Sequence, residues 1–264
     1  MNSKLLKNLN TIGLIFLIGM NMVAVLLPLG NKTTGELSDL YPNLFVPSGF
    51  TFAIWSIIYV LLIIFVGYQW IGKKGVSIVE TLGVWFIINA IANGLWLVFW
   101  HYEYVVICIF IMAVILGSLI MMYHKLNVKY FSDSPTPWQA TVPISLYMGW
   151  ISVAMIANTT VVFVYFGITN LGLGADTWAA IVLMIAVGIT LRMLYVHKDI
   201  YFAAVVCWAS YGIYAKRVVD LVTEDPRIEH TSYISIYIIL IAIILTIVQS
   251  FLKRKKVSKS IPVQ

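Results

Sequence analysis

Residues 146–158, LYMGWISVAMIAN, decide how this chain is read. The segment is apolar enough to lie in a bilayer, yet Tyr147, Trp150, Ser152 and Asn158 put polar atoms into it that hydrocarbon cannot satisfy. At about 100° per residue, Tyr147, Trp150, Ala154 and Asn158 fall on one stripe of a helix. That stripe is expected to face protein or a cavity, not lipid.

The rest of the chain fits a membrane setting. Hydrophobic residues make up 61% and charged residues 11%, against about a quarter charged in soluble domains. Mean hydropathy is +0.93. The net charge of +6 does not indicate a nucleic-acid partner, because the basic residues sit in short clusters between apolar runs. Cys108 and Cys207 lie inside apolar runs without CxxC spacing, so they read as small buried residues. Lys4 and Lys7 precede an apolar run that is long enough to span and is followed by no small-x-small cleavage site, so it reads as a retained first helix.

Apolar runs occupy residues 11–30, 50–70, 81–100, 104–123, 138–165, 177–196, 200–215 and 232–252. The expected fold is all-α: a polytopic integral membrane bundle of eight helices. The run 200–215 is the short one, at sixteen residues against about twenty for a span. Charge supports counting it. With all eight crossing and the N-terminus cytoplasmic, thirteen Lys and Arg fall on the inner side and four, Lys32, Lys216, Arg217 and Arg227, on the outer. Both termini are then cytoplasmic, and a bacterial or archaeal cytoplasmic membrane is the expected location. The outer link 31–48 reads either as a lid or as a plain solvated connection. The outer segment 216–230, with acids and bases mixed, reads as a solvated loop.

Every Asp, Glu and His lies in a link or at a helix end, and no lysine sits in the middle of a run. Ion-coupled transport, haem ligation and acid/base catalysis all need such groups near the midplane, so an enzyme is disfavoured and no catalytic or metal residues are assigned. What the runs do carry is aromatic and amide stripes. Phe52, Trp55 and Tyr59 align on the second helix, and Asn89, Asn93, Trp96 and Trp100 on the third. A single stripe reads as packing or an interfacial belt. Three together, with Trp96 and Trp150 well inside their helices, suit a flat apolar molecule with a few polar edges. Asn21 either lines the same space or bonds a neighbour.

These motifs resemble the TspO/MBR family, the tryptophan-rich sensory proteins related to the mitochondrial translocator protein. Residues 47–59, PSGFTFAIWSIIY, look like the start and WxxxY of its second helix. Asn93, Trp96, Phe99 and Trp100 are similar to its third-helix NxxW and trailing aromatic pair. Tyr147, Trp150, Ser152, Ala154 and Asn158 fall in the register of PYLAWVSFAxxLN on its fifth. Leu146 and Ala53 stand where the family has proline, and Gly49 where it has tryptophan.

The resemblance covers about residues 1–166. It implies a TspO-like five-helix domain over 1–166, extended over 167–264 by three further transmembrane helices and a basic tail. It also implies a pocket, covered by the loop between helices one and two, that takes porphyrins and in some members sterols or benzodiazepine-type ligands. Ligand contacts are then expected from Trp55, Tyr59, Asn93, Trp96, Trp100, Tyr147, Trp150 and Asn158. No cofactor is obligatory, and porphyrin or haem is the candidate ligand. Lipids, a small lipophilic ligand and a second copy in a homodimer are the expected partners. A carrier or channel for a small lipophilic metabolite is the alternative to a receptor or sensor.

Overall fold

The computed structural model describes residues 2–27, 29–131, 136–168, 172, 174–220 and 227–259, and the side chains of these other than 219, 220 and 254–259. Asp133, Glu224, Asp225 and the side chains of the basic tail beyond Lys253 lie outside that set. Among the described residues all regular structure is helical, as the hydropathy pattern requires.

Helix α1 (Ser3–Leu26) is capped by Asn2, whose Oδ1 accepts from the Lys4 amide at 2.9 Å. The link after it carries the short helix α2 (Thr34–Asp39), held by a reciprocal capping box between Thr33 and Glu36. The Thr33 amide and hydroxyl hold the Glu36 carboxyl below the usual range. A 3₁₀ turn (Gly49–Ala53) leads into α3 (Ile54–Tyr68).

The third apolar run is preceded by a helix that the span pattern does not separate. In α4 (Gly72–Leu82), Gly75, Ile78, Val79 and Leu82 are buried while Lys73, Lys74, Ser77 and Glu80 face outward. Gly83, at φ 60°, ends it, and α5 (Trp85–His101) departs at 66°. Helix α6 (Val105–Leu126) closes on Asn127 in the left-handed region at φ 46°. Helix α7 (Trp138–Tyr165) takes Pro143 near its start. Then come α8 (Ala175–His197), α9 (Ile200–Asp220) and α10 (Arg227–Lys259).

Among the described residues six helices (α1, α3 with its 3₁₀ turn, α6, α7, α8 and α10) are long and apolar enough to cross a membrane, and α4 with α5 makes a seventh if the bent pair is one span. Helices of this length and composition place the chain in a bilayer, in contact with lipid. Helix α9 is longer than its apolar run. Its 21 residues rise about 30 Å, and it packs against α7, α8, α10 and the 3₁₀ turn. Two glycines permit that close approach: a Cβ on Gly149 would stand 3.1 Å from the Phe202 carbonyl oxygen, and one on Gly212 would overlap Thr51.

The segment 216–230 is therefore not one solvated loop. Helix α9 runs on through Lys216 and Arg217, α10 begins at Arg227, and Arg217 is only 8% exposed. Asp199, an acid at a helix end, is fully buried between α8 and α9, where Ser145 donates to its carboxylate at 2.6 Å and the Tyr201 and Phe202 amides at 3.1 and 3.0 Å.

Candidate ligand pocket

Asn93 lies on the buried face of α5 and uses both ends of its amide. Its Oδ1 accepts from Asn21 Nδ2 of α1 at 2.8 Å, and its Nδ2 donates to the Tyr147 hydroxyl of α7 at 2.9 Å. Three residues on, Trp96 donates from Nε1 to Asn158 Oδ1 of α7 at 3.1 Å, and Asn158 Nδ2 donates to the Ala154 carbonyl at 3.0 Å. Polar atoms in an apolar bundle thus satisfy one another and link α5 to α1 on one side and to α7 on the other. Each amide nitrogen carries two hydrogens, so Asn93 and Asn158 each hold one N–H beyond these bonds.

Aromatic rings complete the walls. Trp55 stacks on Tyr59 with centroids 5.6 Å apart and meets Tyr147 and Trp150 edge-on at 5.7 and 6.3 Å. Phe52 meets Trp150 edge-on at 5.8 Å. On the facing side Trp96 and Trp100 are stacked, 5.5 Å apart and 16° from parallel. Between them lies a cleft of about 50 Å³, bounded by Phe52, Trp55, Trp96, Trp100, Trp150 and Asn158.

Phe52, Trp55 and Trp96 also form the inner wall of a larger groove of about 600 Å³ between α1 and α3. Met22, Val25 and Leu26 line its other side and are more than half exposed at 54%, 63% and 68%. The groove therefore opens sideways on the apolar flank of the bundle. Thr33, Thr34, Glu36 and Pro47 roof it.

Of the eight residues singled out in the sequence, Trp55, Asn93, Trp96, Trp100, Trp150 and Asn158 line the cleft, and Tyr59 lines the groove. Tyr147 stands behind them, fully buried, and orients Asn93 and Trp55. Asn89, on the same stripe as Asn93, turns to α6 instead and donates to Ser118 at 2.9 Å. Asn21 does both things open to it, bonding Asn93 and lining the groove.

The link 31–48 closes over this site and is tied down at several points. Trp100 donates to the Thr34 carbonyl at 3.3 Å, and Tyr41 to the Glu103 carboxylate at 3.3 Å. Burial and that carboxylate push the Tyr41 hydroxyl up to about 12, so it stays a donor at neutral pH. The other ties come from α9, whose mid-helix Trp208, Ser210 and Tyr211 read in the sequence either as packing or as a second wall. Lys216 pairs with Asp39 at 2.7 Å, the Ser48 amide donates to the Gly212 carbonyl at 3.0 Å, and Trp208 donates to the Thr51 carbonyl at 3.0 Å. Only the mid-helix placement of Trp208 signals this.

The family model described as TSPO-like protein matches residues 7–248. The chain belongs to that family. The match runs through α8 and α9 into α10, so the TSPO-like pattern takes in α9, which ties down the lid, as well as the five helices that build the pocket. Membership in the TSPO-like family carries a membrane role of the sensor or transporter type. No curated protein and no solved structure matches the chain.

Proposed function

We propose that this TSPO-like chain is a membrane receptor or sensor for a flat lipophilic ligand of the porphyrin class, taken up from the bilayer through the groove between α1 and α3. One observation carries the reading: a wide lateral groove of about 600 Å³ and a tight tryptophan-lined cleft of about 50 Å³ share Phe52, Trp55 and Trp96 as their partition. The groove lies within the roughly 300–1,000 Å³ of small-molecule sites, and the cleft is far below it. A flat ring in the groove stacks on Trp55 and Tyr59, and its edge reaches the spare N–H of Asn93 or Asn158 once the partition turns aside. Sterol-like molecules fit the same apolar walls.

The domain reading, 1–166 for the pocket and 167–264 for its support, belongs to this proposal, with α9 serving as the lid's anchor. Because α9, backed by α8 and α10, covers the α7 flank within one chain, a homodimer would form through α1, α5 or α6. Cytoplasmic termini are read from the basic-residue bias, and a prokaryotic cytoplasmic membrane belongs to the same proposal.

Titrating protoporphyrin into the purified chain should give saturable quenching of tryptophan emission, weakened at least tenfold in Trp150→Ala. Quenching that does not saturate, or that Trp150→Ala leaves unchanged, removes the site. Proteoliposome flux separates the carrier alternative: a receptor binds without moving the ligand across.

A further inference from the structure

The groove between α1 and α3 is apolar along its flank and charged at one end. Glu36 and Asp39, three residues apart on α2, line it from the roof, and none of its described lining residues is Lys, Arg or His. The links 169–173 and 221–226 read TNLGL and LVTEDP, so neither brings a base to this end of the bundle.

The two carboxylates differ in what holds them. Asp39 pairs with Lys216 at 2.7 Å, and Lys32, the base within the lid itself, is taken by Glu103 at 3.4 Å. Glu36 meets only neutral donors, the Thr33 amide at 2.7 Å and the Thr33 hydroxyl at 2.9 Å, and both bond to Oε2. Among the described residues nothing donates to its Oε1, and the side chain is exposed. The Thr33 bonds favour the ionised form, so Glu36 carries its charge at neutral pH.

We propose that the groove prefers a flat lipophile whose polar end is a protonated amine, and that Glu36 sets this preference by pairing with it. The inference rests on the reading of the groove as the ligand's entry, and not on which ring enters. A charged group on the ligand has one place to lie. The open side, Met22, Val25 and Leu26, faces hydrocarbon, which penalises charge, whereas the roof is where the groove's own charges stand. An ammonium there meets a carboxylate without a cationic partner. A carboxylate there meets two acids and bases that are already paired. Exposed ion pairs are worth about fivefold in affinity at most, so Glu36 tunes which edge the ring presents and the aromatic walls still supply most of the binding.

The test uses the full chain in phosphatidylcholine nanodiscs and one ring with three kinds of edge. These are protoporphyrin, its dimethyl ester, and its diamide with N,N-dimethylethylenediamine, which carries ammonium groups at neutral pH. Tryptophan quenching by each is read in the parent chain and in Glu36→Gln, so that partition of the probe into lipid cancels. Glutamine removes the charge and still serves a capping box. Glu36→Gln is expected to weaken the diamide about three- to fivefold, to leave the ester within about twofold, and to tighten protoporphyrin. At about 1 M salt, where the Debye length is about 3 Å, the differences among the three probes should narrow in the parent chain, which keeps the test decisive if Glu36→Gln does not fold. Saturable binding of all three, in ratios that neither Glu36→Gln nor salt changes, would overturn this inference and leave the groove reading standing. No saturable quenching by any of the three would overturn both.

Discussion

Trp96 donates its indole N–H to Asn158 Oδ1 at 3.1 Å, and this bond joins α5 to α7 across the wall of the cleft. Removing one partner leaves the other buried and unsatisfied, a cost of about 1–3 kcal/mol in soluble cores, while interhelical bonds in membranes average nearer 0.6 kcal/mol. Asn158→Ala is therefore expected to cost about 1 kcal/mol and lower the melting temperature by roughly 2–4 °C. Trp96→Phe should cost a similar amount and keep the ring wall, so protoporphyrin quenching should survive it. Trp96→Ala should lose both. Thermal melts in detergent, paired with the titration, separate the bond from the wall.

Gly212 sits where α9 touches the 3₁₀ turn, and any Cβ there overlaps Thr51. Gly212→Val is expected to cost about 1–3 kcal/mol by overpacking and to loosen the lid by displacing the Ser48 bond. Limited proteolysis should then cut within residues 31–48 at a rate several-fold above the parent chain. An unchanged cleavage rate would show that α9 does not hold the lid.

Of the ties between α9 and the lid region, the Lys216 to Asp39 pair is the weak one, because Asp39 is 63% exposed on its side chain and exposed pairs contribute about 0–1 kcal/mol. The Trp208 bond to Thr51 is shielded, and its ring also meets Phe50 edge-on at 5.5 Å. Asp39→Asn should leave the melting temperature and the proteolysis rate nearly unchanged, whereas Trp208→Ala should shift both. Equal effects would contradict this ranking.

Asp199 gives a pH dependence with a definite sign. Burial raises its pKa above the usual aspartate range, outweighing the hydrogen bonds from Phe202, Ser145 and Tyr201 that lower it. The folded chain then binds that proton more tightly than the unfolded one. The associated stability is complete below about pH 3.9, the ordinary aspartate value, and is lost as pH rises through the raised value. The comparison is made between variants, so that every other titrating group is common to both chains. Lowering pH from 8 to 5 should stabilise the parent chain more than Asp199→Asn. Equal slopes would mean that Asp199 stays ionised throughout.

Much of the pocket was legible because hydrocarbon punishes unpaired polar atoms. Trp150 and Asn158 inside an apolar run had to face protein, and they do. Periodicity says which face is polar but not which neighbour it meets. Asn89 and Asn93 share a stripe, yet one bonds Ser118 on α6 and the other Asn21 and Tyr147, because α5 packs between α1 and α6 and reaches across to α7 through its side chains. The role of α9 was hidden for a related reason. Its apolar run is short, its last turn is charged, and its importance comes from glycines and carbonyls, which carry no hydropathy signal. Arg217 and Asp199 looked solvated since each lies in or near a link. Their burial depends on how α7, α8 and α9 converge, which is a tertiary fact.

The central claim is that ligand passes from the lateral groove to the tryptophan cleft. Ser56 lines the groove and not the cleft, and Trp150 lines the cleft and not the groove. The decisive measurement is the protoporphyrin titration of tryptophan emission in the parent chain, in Ser56→Phe and in Trp150→Ala. Both substitutions should weaken half-saturation at least tenfold while the melting temperature stays within a few degrees. Parent-like binding in both folded variants would place the ligand elsewhere and contradict the account.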